Sequence, residues 1–394
     1  MFFMRICSSP HTEEMAALMG LNQLYRRGHM GCSHPGGITE GLVCDADIYG
    51  VETPAEYLKT WVEGCSNSFE IMKAVKKIQE NVVGSYACAL EVKGNVYIFR
   101  DLIGIKPLYY HQDAVASEKK AFLQENCTPL LPGEVVELPD TTLHRTRIEG
   151  ISTFDPHTVA EALQKSASQQ IEPHAAVLFS GGIDSAILAS LSDVPVITCG
   201  LEGSHDILFS RKASHLLEKD RIEVVLTEKD ITDAIPVVLS IIEEKTLLAL
   251  ELALLMYFVC QEWDGKLLIS GQGADELFGG YYKYEKAFCN KGDVKALMKK
   301  DFDTLYVGLE RDGQVAERFD KVIRYPYLDT TVVRRALGIP AAFLFEPVRK
   351  GFLRKVASLL TIPEEITSRP KKALQYGTGI HKIVQKQYKT FFKL

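Results

Sequence analysis

One short segment limits what this chain can fold into more than any other. The apolar run 175–179 leads directly into Ser180-Gly-Gly-Ile-Asp-Ser185, and an apolar helical pattern continues from Ala186. When a buried strand passes through a glycine turn straight into a helix, the first N–H groups of that helix have no partners and can face an anion. The segment therefore predicts a strand, loop and helix with an anion site at the carboxyl end of the strand.

The polar residues of this loop extend the anion site. The hydroxyls of Ser180 and Ser185 can donate to phosphate oxygens, Gly181 and Gly182 let the backbone approach, and Asp184 can hold Mg²⁺ against a pyrophosphate. The sequence lacks the Gly-Lys-Ser/Thr of a Walker loop. We therefore expect the β,γ-phosphates of ATP to be bound as a leaving pyrophosphate. The alternative is an ordinary strand-to-helix turn that Asp184 caps.

Length and pattern predict two domains. At about 150 residues per domain, 394 residues suggest two or three. Short β signals separated by turns fill the first part, with helical periodicity over 54–80, which predicts an α+β layered domain over residues 1–153. From about residue 156 helical and strand patterns alternate. Residues 154–394 therefore predict an α/β domain with a doubly wound parallel sheet and a helical C-terminal part.

Composition narrows the possible partners and the compartment. The formal net charge is −6, so no overall positive field attracts nucleic acid or an anionic membrane. The nine cysteines are odd in number and never fall at C-x-x-C spacing, which argues against a disulfide framework or a zinc site. The longest apolar run, 246–260, contains Glu251 and is too short to cross a membrane. We expect a reduced cytoplasmic protein that binds small molecules.

A second loop, Ser270-Gly-Gln-Gly-Ala-Asp275-Glu276, follows the apolar strand pattern 266–270. Small residues at Ser270 and Gly271 let the backbone approach a nucleotide, and Asp275 is placed to give the second metal carboxylate opposite Asp184. The alternative is a solvated glycine-rich loop with an acidic pair.

These loops resemble those of the asparagine synthetase family. Ser-Gly-Gly-Ile-Asp-Ser is the pyrophosphatase-type loop that this family shares with β-lactam synthetases and several adenylating enzymes that modify tRNA. The motifs that narrow the resemblance, and that span both predicted domains, are Gly84-Ser-Tyr-Ala, Arg100-Asp-Leu-Ile-Gly-Ile-Lys-Pro-Leu-Tyr-Tyr110, Ala116-Ser-Glu-Lys119, the loop 270–281, Arg324-Tyr-Pro-Tyr-Leu-Asp329, Lys350-Gly-Phe-Leu-Arg354 and Arg369-Pro-Lys371.

The resemblance implies an Ntn-hydrolase-like first domain of the class II glutamine amidotransferase type and an ATP-pyrophosphatase second domain. It also implies ATP and Mg²⁺, a substrate carboxylate that attacks the α-phosphate, and ammonia or an amine that displaces AMP. Leu178, Cys199 and Gly200 should line the adenine pocket, with Cys199 as a packing residue. The resemblance makes Lys371 the catalytic lysine, and we also assign catalytic roles to Lys350, Gln272 and Glu276. Arg324 and Asp329 should support the site by buried pairing.

The chain departs from the family pattern mainly in its first part. Position 2, where the family has its nucleophilic cysteine, is Phe2, and Cys7 is an unlikely replacement because it is followed by two serines. Asp45 aligns with the family's oxyanion-binding amide, and the segment with the glutamine-binding arginine appears deleted after Gly28. In the second part, Gln272 replaces a common glutamate and cannot accept a proton.

The sequence thus favours an AMP-forming amide ligase that uses ammonia or an amine and has lost its glutaminase activity. Two related enzymes remain as alternatives: a conventional glutamine-hydrolysing asparagine synthase, and an intramolecular amide ligase of the β-lactam synthetase type. Two further hypotheses are less favoured: that the protein adenylates RNA, and that it binds ATP without catalysing a reaction. The oligomeric state is left open, with a homodimer as one option.

Overall fold

The computed structural model describes residues 6–8, 19, 25–27, 30–32, 35–122, 126–139, 141–152, 154–369 and 374–392. The chain divides into two compact units, Met1–Ile148 and Glu149–Leu394. The division lies next to the stretch 151–156, where the sequence pattern changes from short strands to alternating helices and strands.

The described part of the first unit contains two six-stranded antiparallel sheets. The strands are β1 (Ile6–Ser8), β2 (Tyr25–Arg27), β3 (Met30–Cys32), β4 (Ile38–Thr39), β5 (Leu42–Ile48), β6 (Gly84–Val92), β7 (Asn95–Arg100), β8 (Tyr109–His111), β9 (Ala114–Ala116), β10 (Thr128–Pro129), β11 (Glu134–Glu137) and β12 (Thr141–Arg145). One sheet has the order β10-β8-β9-β1-β3-β2 and the other β12-β11-β7-β6-β5-β4.

The side chains of β5 alternate between two hydrophobic cores, and this alternation explains how the layers stack. Leu42 and Cys44 face a core shared with helices α1 (Pro54–Val62) and α2 (Ser68–Asn81), whereas Val43 faces a second core that also contains Met30 of β3. Successive side chains of a strand point to opposite faces of its sheet, so one strand supplies both cores. The unit is therefore a helical layer on two stacked sheets, which confirms the predicted layered α+β architecture.

The second unit is built on a five-stranded parallel sheet in the order β15-β14-β13-β16-β17. Its strands are β13 (Ala175–Leu178), β14 (Val196–Leu201), β15 (Arg221–Leu226), β16 (Leu267–Ile269) and β17 (Val322–Arg324). Its helices are α3 (Pro156–Gln170), α4 (Ile183–Ser190), α5 (His205–Leu216), α6 (Glu228–Ile241), α7 (Leu247–Glu262), α8 (Ala274–Phe278), α9 (Tyr282–Cys289), α10 (Val294–Asp303), α11 (Tyr306–Glu317), α12 (Thr330–Leu337), α13 (Ala341–Phe345), α14 (Gly351–Leu359), α15 (Glu364–Thr367), α16 (Leu374–Gly377) and α17 (His381–Phe392).

The strand order reverses at β13. The chain runs outward from β13 through β14 to β15, then returns to place β16 and β17 on the opposite side of β13. In open parallel sheets the crevice for ligands lies at such a switch point, outside the carboxyl ends of the strands. The predicted doubly wound sheet is confirmed, and its switch point lies between the strands that precede the two glycine-rich loops.

The apolar helix α7 packs within the second unit. Ten of its sixteen residues are buried, and its one acidic residue before the C-terminal turn, Glu251, is 2% exposed. The Glu251 carboxylate lies 2.6 Å from Nδ1 of His381 on α17, which provides the partner that a buried acid needs. None of the helices in the described residues is long and apolar enough to cross a membrane.

Candidate active site

The first loop joins β13 to α4 with the geometry that an anion site needs. Gly182 is the N-cap residue of α4, and no side chain caps the helix there. Gly181 has φ +73°, and a Cβ atom at this position would lie 2.8 Å from a ring carbon of Phe209 on α5. Glycine is thus required at 181 both by the left-handed backbone and by the close packing of α5. The helix start that the sequence predicts as an anion site thus follows a glycine turn and has no side-chain cap.

The two serines of this loop are engaged within it. The Ser185 hydroxyl donates to the carbonyl oxygen of Gly182 at 3.1 Å, and the Ser180 hydroxyl oxygen accepts from the N–H of Gly182 at 3.4 Å. The sequence reasoning assigned both hydroxyls to phosphate oxygens. These hydrogen bonds fix the shape of the loop, and Ser185 is almost completely buried, whereas the Ser180 hydroxyl only accepts and keeps its proton. The contacts of both hydroxyls with phosphate oxygens stay a prediction.

The second loop lies beside the first. Gly273, with φ +91°, is the N-cap residue of the short helix α8, and Asp275 lies in the first turn of that helix. A Cβ atom at Gly271 would be 3.4 Å from Cβ of Asp184, which is ordinary van der Waals contact. The carboxyl ends of β13 and β16 therefore bring Asp184 and Asp275 to the same edge of the sheet.

A lysine from far along the chain joins the two carboxylates. Nζ of Lys350 lies 2.6 Å from both carboxylate oxygens of Asp184 and 2.6 Å from Oδ1 of Asp275. The Lys350 side chain is 3% exposed, while the two carboxylates keep 13% and 18% exposure. Three carboxylate oxygens thus surround one buried cation, and both acids remain accessible from one side.

This donor set fits the predicted Mg²⁺. Magnesium prefers one or two protein carboxylates and completes its shell with water and phosphate oxygens. Among the described residues, no group of three or more His, Cys, Asp and Glu side chains could hold a metal. Asp184 and Asp275 stay the predicted Mg²⁺ ligands, and a nucleotide and water would have to supply the other oxygens of the shell.

Glu276 is buried next to Asp275. Its carboxylate accepts a hydrogen bond from the Tyr281 hydroxyl at 2.6 Å. Burial, and secondarily the nearby charge of Asp275, raises the pKa of Glu276 to about 7. The same burial, reinforced by Glu276, raises the pKa of Tyr281 well above its ordinary value. Glu276 can therefore take up or release a proton near neutral pH.

Arg369 ties the C-terminal part of the chain to the first loop. Its guanidinium donates to the carbonyl oxygen of Ser180 and lies 2.6 Å from Oδ1 of Asp206 on α5. The guanidinium also stacks over the ring of Phe209, 4.2 Å from its centroid. Sequence reasoning noted Arg369 only as part of the Arg-Pro-Lys motif. Lys371, the predicted catalytic residue of that motif, lies outside the described residues.

The predicted adenine wall lies at the ends of β13 and β14. Leu178 is partly exposed, and Cys199 is buried, which raises the pKa of its thiol far above the usual range. Such a thiol does not ionise at neutral pH, which fits the packing role predicted for Cys199. A Cβ atom at Gly200 would lie 3.2 Å from the carbonyl oxygen of Thr378. The segment after α16 therefore packs against the end of β14.

Two further predicted residues have structural roles, one of them different from the expectation. The buried Arg324 guanidinium donates to Glu172 at 2.8 Å and to the carbonyl oxygen of Gln170, but the Glu172 side chain is half exposed, so the ion pair is buried on one side only. Asp329 is not in a buried ion pair among the described contacts. It caps α12 by accepting from the N–H of Thr331 at 2.8 Å, because a free N–H at a helix start needs an acceptor.

Sequence reasoning missed Tyr327 and Gly280. The Tyr327 hydroxyl donates to the carbonyl oxygen of Asp184 at 3.0 Å and so supports the first turn of α4. A Cβ atom at Gly280 would lie 1.8 Å from Oδ1 of Asp275 and 2.5 Å from Cε of Lys350. Both residues fall inside the quoted motifs, but nothing local in those motifs indicates these contacts.

In the first unit, Asp45 has a partner that sequence reasoning did not name. Asp45 lies in β5, is fully buried, and pairs with Nζ of Lys106 at 2.9 Å. Asp101 is also buried and accepts from the N–H groups of Ile103 and Gly104, at 3.0 and 2.7 Å. Cys7 lies in β1, between β3 and β9, and its side chain is outside the description. Asp45 thus has an ion-pair partner and Asp101 has backbone donors within the described residues of this unit.

Two models of known protein families match parts of this chain. The family model described as "Asparagine synthase" matches residues 158–322 and 295–393, which is more than half of the chain. The chain belongs to the asparagine synthase family. A second model, "Glutamine amidotransferase domain", matches residues 55–124 of the first unit. The resemblance drawn from the motifs is confirmed for both parts of the chain.

Individual relatives agree with the family assignment at low identity. A Methanocaldococcus jannaschii protein, whose name places it among the glutamine-hydrolysing asparagine synthetases, is 28% identical over 89% of this chain and 80% of its own length. Asparagine synthetase 3 of Arabidopsis thaliana is 26% identical over 71% of this chain. The chain covers 56% of that plant protein and 63% of the asparagine synthetase from Sandersonia aurantiaca, so it spans between half and two thirds of these two plant relatives.

Among solved structures, NMN synthetase from Francisella tularensis matches 61% of this chain and 87% of its own, with 14% identity and a TM-score of 0.32. A glutamine phosphoribosylpyrophosphate amidotransferase from B. subtilis matches 52% of this chain with a TM-score of 0.23. Likeness at this level carries no argument about function.

Proposed function

We propose that this protein is an ATP-dependent amide ligase that forms AMP and pyrophosphate. The observation that supports it most is the convergence of Asp184 and Asp275 on one cation, beside the uncapped start of α4. Backbone N–H donors and two metal carboxylates are what a departing pyrophosphate requires. Leu178, Cys199 and Gly200 would line the adenine pocket, and the loops 180–185 and 270–271 would hold the phosphates.

The reaction has two steps under this proposal. An oxygen of the substrate carboxylate attacks the α-phosphorus of ATP, and the bond to the bridging oxygen breaks, so that pyrophosphate leaves with the electron pair. The nitrogen of ammonia or an amine then attacks the acyl carbon of the adenylate, and the carbon–oxygen bond to AMP breaks. Mg²⁺ held by Asp184 and Asp275 would neutralise charge on the pyrophosphate.

Proton transfer and oxyanion stabilisation fall to other residues of the chain. Gln272 carries no basic group, whereas the Glu276 carboxylate is buried beside Asp275 and accepts a hydrogen bond from the Tyr281 hydroxyl. We assign to Glu276 the uptake of the proton that the attacking amine loses. Lys371 would stabilise the oxyanion of the second step, as the family motif implies. Lys350 would pass from the carboxylates to the phosphates when nucleotide binds.

Free ammonia or an amine is the proposed nitrogen donor in place of glutamine. The support is chemical: an amide at position 45 would stabilise an oxyanion, whereas this chain has a buried carboxylate there that is paired with Lys106. The test is to incubate the protein with Mg·ATP, a carboxylate and glutamine, and to measure glutamate. Glutamate released at the rate of AMP formation would return the assignment to glutamine-dependent asparagine synthesis.

The main experiment measures AMP and pyrophosphate with a panel of carboxylates and amines, and product masses by mass spectrometry. Lys371→Ala should abolish product formation, and Lys382→Ala serves as the matched control because Lys382 is exposed on α17. A product that contains no added amine would indicate intramolecular ligation. If no carboxylate and amine pair yields pyrophosphate, the proposed function is wrong.

A further inference from the structure

Two cysteines of the first unit face each other across neighbouring strands of one sheet. Cys44 on β5 and Cys88 on β6 are Cα partners in the antiparallel register, and both belong to the core that α1 and α2 cover. Among the other strand pairs that the structure describes, none places two cysteines opposite each other. The sequence spacing of the cysteines gives no sign of this pair, because the fold alone brings its members together.

The hydrogen-bond pattern of these two strands brings the cysteines especially close. Opposite residues of an antiparallel pair alternate between hydrogen-bonded and non-hydrogen-bonded positions. The N–H of Glu91 donates to the carbonyl oxygen of Gly41 at 2.7 Å, and the N–H of Tyr49 donates to that of Val83 at 3.2 Å. Hydrogen-bonded positions therefore fall on the odd-numbered residues of this ladder. The cysteines have even numbers and form a non-hydrogen-bonded pair, in which the Cα atoms are about 4.5 Å apart.

The two side chains meet in the core. The thiols of Cys44 and Cys88 are hydrogen-bonded to each other, and both residues are completely buried. A disulfide needs Cα atoms about 4.4–6.8 Å apart, so a bond can close here without a shift of the strands. The separation lies at the short end of that range, where a disulfide is strained and more easily reduced. A bond at this position would therefore be reversible.

The closed core protects the pair from oxidants. Burial, reinforced by the neighbouring thiol and the nearby acids, raises the pKa of the Cys88 thiol well above its ordinary value. Because the thiolate is the attacking species in thiol–disulfide exchange, such a thiol reacts slowly. An oxidant reaches the pair only when α1 and α2 separate from β5 and β6. Both helices lie in the chain between the two cysteines, so a bond would tie the base of this excursion.

We propose that Cys44 and Cys88 form a redox-sensitive modification site, the β5–β6 dithiol, which a low-molecular-weight disulfide oxidises when the first unit opens. One cysteine thiolate attacks a sulfur of the oxidant, and the other half of the oxidant leaves as a thiolate. The second cysteine loses its proton to water and attacks the protein sulfur of the mixed disulfide, and the remaining half leaves. The two protein thiols lose two electrons and two protons, and the oxidant becomes two thiols. This site is independent of the proposed function.

The test uses the full chain, with oxidised glutathione as the oxidant. Native protein, and protein that refolds from urea, are incubated with mixtures of oxidised and reduced glutathione; free thiols are then blocked, and peptide mass spectrometry locates the disulfides. Refolding should give a bond between Cys44 and Cys88 in most molecules. Native protein should acquire this bond at least about tenfold more slowly, because opening of a core is rare. The exposed Cys289 should form a mixed disulfide quickly in the native protein, which shows that the oxidant is active.

Variants separate this pair from other buried thiols. Cys88→Ala should abolish the bond and leave Cys44 as a thiol, whereas Cys260→Ala, which removes a buried thiol of the second unit, is the matched control and should leave the bond unchanged. In a Trp263→Phe background, the fluorescence of Trp61 follows urea unfolding of the first unit. The bond should lower the unfolding equilibrium constant on the order of tenfold to a thousandfold, because it closes a long loop.

No bond between Cys44 and Cys88 after refolding with the oxidant would overturn the proposal, as would bonds from either cysteine to other thiols in equal yield. Equal rates in native and refolding protein would contradict the need for opening. An oxidised protein that is no more stable than the reduced one, or that does not regain the native circular dichroism, would show that the bond does not fit the folded sheet. These measurements use wild-type cysteines, so a folding defect in Cys88→Ala does not affect them.

Discussion

Removal of the Lys350 ammonium should destabilise the second unit and create an affinity for free Mg²⁺. In Lys350→Met, the side chain keeps its length, but Asp184 and Asp275 lose the cation that lies 2.6 Å from each of them. Because Nζ contacts both acids at that distance, the two contacting oxygens are no more than 5.2 Å apart. Two negative charges then face each other in a site that is mostly closed to water.

Coulomb's law gives the size of the effect. At about 5 Å and an effective dielectric constant of about 20, the repulsion is about 3 kcal/mol. The same figure is at the lower end of the range for removal of one partner from a buried ion pair. We expect the free energy of unfolding of the second unit to fall by about 3 kcal/mol at neutral pH without Mg²⁺.

Mg²⁺ should then stabilise the variant and leave the wild type unaffected when no nucleotide is present. In wild type the ammonium stands among the three carboxylate oxygens that a metal would use, so free metal has to compete with it. At a concentration one hundred times its Kd, Mg²⁺ would restore about 2.7 kcal/mol to Lys350→Met.

Intrinsic fluorescence can follow this unit alone. The chain has two tryptophans, Trp61 in the first unit and Trp263 in the second, so a Trp61→Phe background leaves one reporter. Urea unfolding is measured with and without Mg²⁺, and Lys355→Met on the exposed side of α14 is the control. Wild-type stability in Lys350→Met, or equal stabilisation of both proteins by Mg²⁺, would refute the reasoning.

Three other substitutions test separate parts of the structure. Burial raises the pKa of Glu276 in the folded protein from 4.5 to about 7. The protonated side chain therefore contributes its full stability below about pH 4.5, and this stability is lost as the pH rises through 7. Glu276→Gln should therefore gain about 2–3 kcal/mol relative to wild type between pH 5 and pH 8, measured by urea unfolding at each pH; a constant difference would contradict this. Gly280→Ala should lower kcat/KM for pyrophosphate release by about a hundredfold or more, because the new Cβ atom would lie 1.8 Å from Oδ1 of Asp275. The control is Gly313→Ala, whose Cβ atom would meet no atom within 4 Å and should leave kcat/KM unchanged. Lys106→Met should lower the free energy of unfolding of the first unit by about 3–5 kcal/mol, because it leaves the buried Asp45 carboxylate without its cation. The fluorescence of Trp61 follows this unfolding. Adding Asp45→Asn should recover part of the loss, and no recovery would mean that Lys106 stabilises the fold by other contacts.

The parts of the fold that sequence could predict are those with local signals. The loop at 180–185 and the apolar strand before it are contiguous, and a glycine turn between a strand and a helix has few alternatives. Helix α6 is harder to predict, although Thr227 and Asp230 form a capping box there and Ile231, Ile235 and Val238 are buried on one face. Pro236 inside that helix interrupts the usual sequence signal, because proline removes a helical hydrogen bond.

The site itself was predictable only in part, for the same physical reason. Its acids lie in the first turns of the helices that follow two neighbouring strands, and the strand order places them together. The cation between them comes from Lys350, 166 residues beyond Asp184, and no local pattern separates this lysine from a solvated one.

Two basic residues near the C-terminal end of the chain, Lys350 and Arg369, both contact the first loop. Lys350 contacts the acid of the first loop, and Arg369 contacts the carbonyl oxygen of Ser180 in the same loop. The chain between these two residues, including α14 and α15, is thus anchored at both ends to one loop by charged side chains. The anchors are not equivalent. Arg369 is held by Asp206 and can stay in place when ligand binds, whereas Lys350 is held by the acids that a metal would claim. Ligand binding would therefore loosen one end of this segment and leave the other fixed, two residues before Lys371.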